Sequence, residues 1–104
     1  MNLSQALSII RKSLSEKNFT ESGHFKYECQ ERSLSLEEIT AIIAENEILG
    51  ITQQDQNLYK VWFNYVNNKD LIVILRILPD QRLRLVTLYP CDAERRKREH
   101  VSKS

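Results

Sequence analysis

The chain has 104 residues, 41% hydrophobic and 28% charged, the composition of one globular domain and not of a disordered or collagen-like chain. No apolar run reaches the ~18 residues of a membrane helix, and the start at Met1 lacks a signal-peptide pattern, so a cytoplasmic protein is expected. Formal net charge is +1, which excludes the strongly basic class of nucleic-acid binders on total charge alone.

The sign of the charge is unevenly distributed. Residues 1–51 carry five Lys/Arg against eight Asp/Glu, whereas residues 52–91 and 92–104 each carry five against three. Such separation can give a nearly neutral molecule a basic face able to attract phosphate; the alternative is a solvated surface with a basic tail.

Leu3, Leu7, Ile10 and Leu14 recur at helical spacing and predict an amphipathic helix over residues 2–17, with Ser4 as its cap. Phe19 to Ser22 breaks that pattern. A second helix over 22–32 puts His24, Glu28 and Arg32 on one stripe and Phe25 and Cys29 on an adjacent apolar one. Ser35-Leu36-Glu37-Glu38 reads as a capping box opening a third helix, with Ile39, Ile42 and Ile43 as its buried side.

From Ile48 the period changes to that of strands. Ile48–Thr52, Leu58–Val66, Leu71–Leu78 and Arg82–Tyr89 are separated by polar turns, and Pro90 is expected to end the sheet. Leu71–Leu78 is apolar enough to be the central strand. The fold class is therefore α+β, with N-terminal helices packed on one face of a three- or four-stranded antiparallel sheet. Domain organisation is a single domain over 1–91, in which 1–19 is an additional helix and 20–90 the core, followed by a basic tail over 92–104 that is a frayed helix or disordered.

Arg76 interrupts the most apolar strand, and a charge there needs a partner or an exit to water. If register aligns them, Lys60, Arg76 and Arg84 form a basic patch beside the ring of Trp62, a composition suited to an RNA backbone and a stacked base. The competing reading pairs Arg76 with Glu28 or Glu31 across the helix–sheet interface. His24 is the single histidine before the tail, and an imidazole beside the Arg32 guanidinium is a minimal kit for metal-independent RNA cleavage. His24 serves equally as a cap or surface residue. Gly23 and Gly50 are the only glycines, so no phosphate-binding glycine loop exists, and Cys29 and Cys91 fit no zinc-ligand spacing. No metal or other cofactor is expected.

The stretch from His24 to Ile39, with Arg32 and Ser35, and the closing Leu85-Val86-Thr87-Leu88-Tyr89-Pro90 together resemble the domain-of-unknown-function 4258 family over residues 20–90. That resemblance implies the fold of RelE-like and BrnT-like toxins, small ribonucleases held silent by an antitoxin. It points to His24, Arg32 and Tyr89 as catalytic residues and adds Thr87 to Lys60, Arg76 and Arg84 as RNA-binding ones. Glu28 stands where that family has its first arginine, removing one phosphate-binding cation. The function expected is that of a toxin-like RNA-binding protein compatible with ribonuclease activity, with RNA and an antitoxin or other protein as partners. The alternative is a non-catalytic protein-interaction module.

Overall fold

The computed structural model describes residues 1–94. The basic run Arg95–Arg98 and His100 of the expected tail lie outside the described residues.

Three helices and five strands follow one another as α1 (Leu3–Ser15), β1 (Phe19–Glu21), α2 (Gly23–Glu31), α3 (Leu36–Glu45), β2 (Ile48–Asp55), β3 (Leu58–Asn64), β4 (Lys69–Ile77) and β5 (Leu83–Asp92). The α+β class is thus observed, and no helix among the described residues is long and apolar enough to cross a membrane. Helix starts are fixed by side chains that accept otherwise orphaned backbone N–H groups. Asn2, not Ser4, caps α1, its side chain accepting from the Gln5 N–H while the Gln5 side chain accepts from the Asn2 N–H. Ser22 caps α2 and Ser35 caps α3.

The sheet is five-stranded and mixed, in the order β1-β5-β4-β3-β2, where a three- or four-stranded antiparallel meander was expected. β2 to β5 do form an antiparallel meander with β4 at its centre. The unexpected strand is β1, which pairs parallel with β5 through Phe19↔Leu83, Thr20↔Arg84 and Glu21↔Leu85. Three residues are too few for an alternation signal, and the Phe19–Ser22 segment therefore reads in sequence as a break. Its neighbours hold it to the sheet: the Leu83 N–H donates to the Asn18 carbonyl, and the Ser22 N–H donates to the Leu85 carbonyl.

Pro90 does not end the sheet. It sits within β5 opposite Leu71, and the strand runs on to Asp92. Proline is accommodated because β1 runs alongside only Leu83–Leu85, leaving the far edge of β5 without a strand partner at position 90. A bulge at Val86 shifts the β4–β5 register between Ile74↔Thr87 and Leu75↔Leu85.

One face of this sheet carries the core. Leu71, Val73, Leu75 and Ile77 of β4 join Tyr59, Val61 and Phe63 of β3 and Leu83, Leu85 and Leu88 of β5 in a single cluster. The helices complete it with Ala6, Ile10 and Leu14, with Phe25 and Cys29, and with Ile39 and Ile43. Because α1 supplies three of these fully buried side chains, it belongs to the core and is no appendage to it. Two polar groups in this layer are satisfied across the fold. The buried Ser13 hydroxyl donates to the Gln81 carbonyl at 2.8 Å, and the Ser22 hydroxyl donates to the Val86 carbonyl at 2.8 Å while accepting the Phe25 N–H.

Alternation along β4 sets Ile72, Ile74 and Arg76 on the opposite face from Leu71, Val73, Leu75 and Ile77. Leu75, with no exposed surface, and half-buried Ile74 therefore answer differently to truncation. Leu75→Ala is expected to cost ~2–5 kcal/mol of folding free energy through lost burial and a residual cavity, and Ile74→Ala distinctly less. Urea unfolding of both variants checks this, and equal losses would contradict the facing.

Asp80, in the β4–β5 turn, accepts from both the Arg82 side chain (Nε to Oδ2, 2.7 Å) and the Arg82 N–H, and these bonds hold its carboxyl below the ordinary aspartate range. A lowered carboxylate pKa stabilises the fold above the unfolded-state value, and that contribution is lost as pH falls through the folded-state value. In Arg82→Gln the Asp80 titration followed by NMR is expected to move up toward the ordinary value, stopping short of it because the backbone donor remains.

Candidate functional site

Cross-strand pairing turns the face away from the helices into a series of rows. The first row runs Thr20, Arg84, Arg76 and Leu58, with Asp55 beyond Leu58. The second holds Thr87, Ile74, Lys60 and Thr52, the third Tyr89, Ile72, Trp62 and Gly50, and the fourth Cys91, Asp70 and Asn64. Neighbouring strands are ~4.8 Å apart and successive rows ~6.6 Å, from ordinary sheet dimensions. The register thus brings Lys60, Arg76, Arg84, Thr87 and Tyr89 onto one face, a result the sequence left conditional.

Arg76 and Arg84 are direct cross-strand partners, and both are exposed. Like charges facing one another across a strand pair destabilise it unless an anion lies between them. Arg76 donates through Nη1 to the Gln56 carbonyl at 3.3 Å. It makes no bond to Glu28 or Glu31, because alternation directs it away from α2, so the expected helix–sheet ion pair is not formed. Arg84 has no hydrogen-bond or ion-pair partner among the described residues. Asp80, four residues before Arg84, is engaged by Arg82, and Asp55, two strands from Arg76 in the same row, accepts from the Gln56 N–H.

Lys60 is placed differently. Its Nζ lies 4.7 Å from the centroid of the Trp62 ring, a cation–π contact that holds the ammonium along the strand. The Trp62 ring is only 1% exposed, so it offers no free face to a stacked base, contrary to the expectation for this patch. Its Nε1 hydrogen is buried without a hydrogen-bond partner, an arrangement that costs stability. Tyr89, half-buried and paired with Ile72, is the other aromatic of this face. Thr87 is half-buried opposite Ile74.

His24 and Arg32 stand elsewhere. α2 turns Phe25 and Cys29 into the core on the helix-covered side, which leaves His24, Glu28 and Arg32 along an outer stripe, as i, i+4 spacing predicts. Both basic groups converge on one carboxylate: His24 Nε2 is 3.6 Å from Glu28 Oε1, and Arg32 Nε is 3.5 Å from Glu28 Oε2. Glu28 is therefore shared between the imidazole and the guanidinium of this stripe. Tyr89 lies across the sheet from this stripe, so the three residues expected to share one catalytic centre do not converge. Tyr27, beside them and 55% exposed, bonds Glu31, and that bond raises its phenol pKa above the ordinary value. Cys29 is no ready nucleophile, since burial first and then the charges of Glu21 and Glu28 push its thiol up. No group of three or more His, Cys, Asp or Glu side chains is arranged to hold a metal among the described residues.

Sequence reasoning missed Thr20, which reaches the basic row only because β1 pairs with β5. No local pattern could have found it, since its place depends on a partner 64 residues away.

Among the proteins of known function no relative matches, and no solved structure matches either. The family model of the MJ0788 family matches residues 4–75, from the first turn of α1 to near the end of β4. This overturns the resemblance to the domain-of-unknown-function 4258 family. The matched segment includes α1, which that resemblance treated as an addition, and it stops before Thr87-Leu88-Tyr89-Pro90, on which that resemblance drew. The match spans well over half of the sequence, and the chain belongs to the MJ0788 family.

Proposed function

We propose that this protein binds RNA through the sheet face turned away from its helices, with Arg76 and Arg84 as the principal phosphate contacts and Lys60 and Thr87 beside them. The observation that carries this reading is the direct pairing of Arg76 with Arg84. Two guanidinium groups on adjacent strands repel one another, and a phosphate oxygen between them turns that repulsion into two charge-assisted hydrogen bonds. Arginine suits the task because its planar fork matches phosphate geometry. Lys60 and Thr87 lie one row further along the same face and extend the polar surface available to a ribose-phosphate chain.

The arrangement supports binding more than cleavage. Cleavage through the 2′-hydroxyl needs a proton-transfer group and cations around one phosphorus atom. His24 and Arg32 are drawn to Glu28 on the helix side, away from the Arg76–Arg84 pair. A toxin role, with an antitoxin as partner, drew its main support from the resemblance that the family match replaces, and nothing in the geometry restores it.

Fluorescence anisotropy with a short single-stranded RNA, repeated across a salt series, tests the reading. Wild-type affinity is expected to fall steeply with salt, and Arg76→Gln and Arg84→Gln each to weaken binding and flatten the log–log slope by roughly 0.7, the value for one single-strand phosphate contact. Arg84→Gln is also expected to raise folding stability by ~0.2–1 kcal/mol, because it relieves the like-charge pair. A wild type that does not bind RNA, or variants that bind it unchanged, would overturn the proposal.

A further inference from the structure

On the helix-covered side of the sheet, α1, α3 and the start of β2 meet around a cleft of about 130 Å³. Its apolar wall is made by Leu14 of α1, Ile43 of α3 and Ile48 of β2, all three of them members of the core cluster. Arg11, on α1, and Glu47, in the link between α3 and β2, are exposed and also line it. Arg11 and Leu14 share one side of α1 because they stand at i, i+3 spacing. The Asn46 side chain donates to the Asn64 carbonyl at 2.9 Å and ties the link, with Glu47 next in it, to the end of β3.

Arg11 and Glu47 line the same cleft, yet they form no ion pair with one another. Neither has another ion-pair or side-chain hydrogen-bond partner among the described residues. The end of α3 adds to the negative side of this arrangement. A helix C-terminus carries partial negative charge and is ordinarily complemented by basic side chains. The last turn of α3 has none, and Glu45 and Glu47 flank its C-cap Asn46. The α3 end of the cleft therefore attracts a cation, and the Arg11 side attracts an anion. A single ligand that bears both charges satisfies the two sides together. Size and lining set the rest of that ligand, since a cavity of about 150 Å³ with aliphatic walls holds a benzene-sized group. This cleft is somewhat smaller and suits a branched aliphatic side chain better than an aromatic ring.

We propose that the cleft binds a small aliphatic α-amino acid as its zwitterion. The carboxylate meets the Arg11 guanidinium, whose planar fork matches it. The ammonium, with three N–H donors, is shared between the Glu47 carboxylate and the last carbonyls of α3. The side chain rests against Leu14, Ile43 and Ile48, where each methylene removed from water adds to affinity. This site lies on the other side of the sheet from Arg76 and Arg84 and does not depend on the RNA-binding reading.

Two-dimensional NMR titrations with L-leucine, L-valine, L-phenylalanine, L-leucinamide and N-acetyl-L-leucine provide the test. Leucine and valine are expected to shift the amide signals of Arg11, Ile43 and Glu47 saturably, with half-saturation on the order of 1 mM for so few atoms. Leucinamide, which lacks the carboxylate, and N-acetyl-leucine, which lacks the ammonium, should each bind about tenfold more weakly, and phenylalanine should lose as much to its ring. Arg11→Gln is expected to weaken leucine about tenfold and leave leucinamide unchanged, whereas Glu47→Gln should weaken leucine and leave N-acetyl-leucine unchanged. Both side chains are exposed, so each variant should keep the wild-type melting temperature. Absence of a saturable shift up to about 50 mM leucine or valine, or shifts confined to another part of the protein, would overturn the proposal. Equal binding of leucine and its two blocked forms, or leucine binding unchanged in both variants, would overturn it as well.

Discussion

The register of β4 against its two neighbours is the constraint on which the rest of the molecule depends. Its side chains alternate between a layer of Leu71, Val73, Leu75 and Ile77 that shares one core cluster with side chains of all three helices and a layer of Ile72, Ile74 and Arg76 that lies outside that cluster. Slipping this strand by one residue would drive Arg76 into the helix-covered core and expose Leu75, at a cost in buried charge and lost burial that fixes the pairing. The same register that places the core therefore also decides which cations meet on the other side.

β1 ties this sheet to the helical half of the chain. Its hydrogen bonds to β5 set the position at which α2 begins, because Ser22 both caps the helix and donates to the carbonyl of Val86. The bulge at Val86 is thus where strand, helix start and the β4–β5 register shift coincide. A bulge re-aims the side chains around it, and here Arg84 and Thr87 fall on the same face from either side of it, although three residues apart in sequence. Strict alternation would have put them on opposite faces.

Helix positions were legible in the sequence because each carries a periodic apolar stripe, and α3 its cap as well: Ser35 and the Ile39/Ile43 pair are readable without any partner, whereas the cap of α1 is Asn2 and not the expected Ser4. The four longer strands were legible for a similar reason, their apolar and branched runs being bounded by polar turns. β1 was not, since three residues cannot establish a period. The extension of β5 through Pro90 was hidden as well, because proline reads as a stop unless the edge on which its missing N–H would be felt is known to have no strand beside it. The candidate site divides along the same line. The stripe His24, Glu28 and Arg32 follows from helical spacing alone, whereas the meeting of Arg76 with Arg84 depends on a pairing between strands, and the burial of Trp62 on packing that composition cannot show.

The pairing of Phe19 with Leu83 also has a meaning for how the chain reaches this state. A parallel pair that closes a loop of more than sixty residues contributes nothing until its distant partner is in place, and such contacts slow folding because the entropy of closure must be met first. On a ribosome the three helices are made before β5 exists, with Ile10, Phe25, Ile39 and their neighbours lacking the sheet face that buries them. That interval, set by the order of elements along the chain, leaves apolar helix faces open to aggregation until β5 has been synthesised.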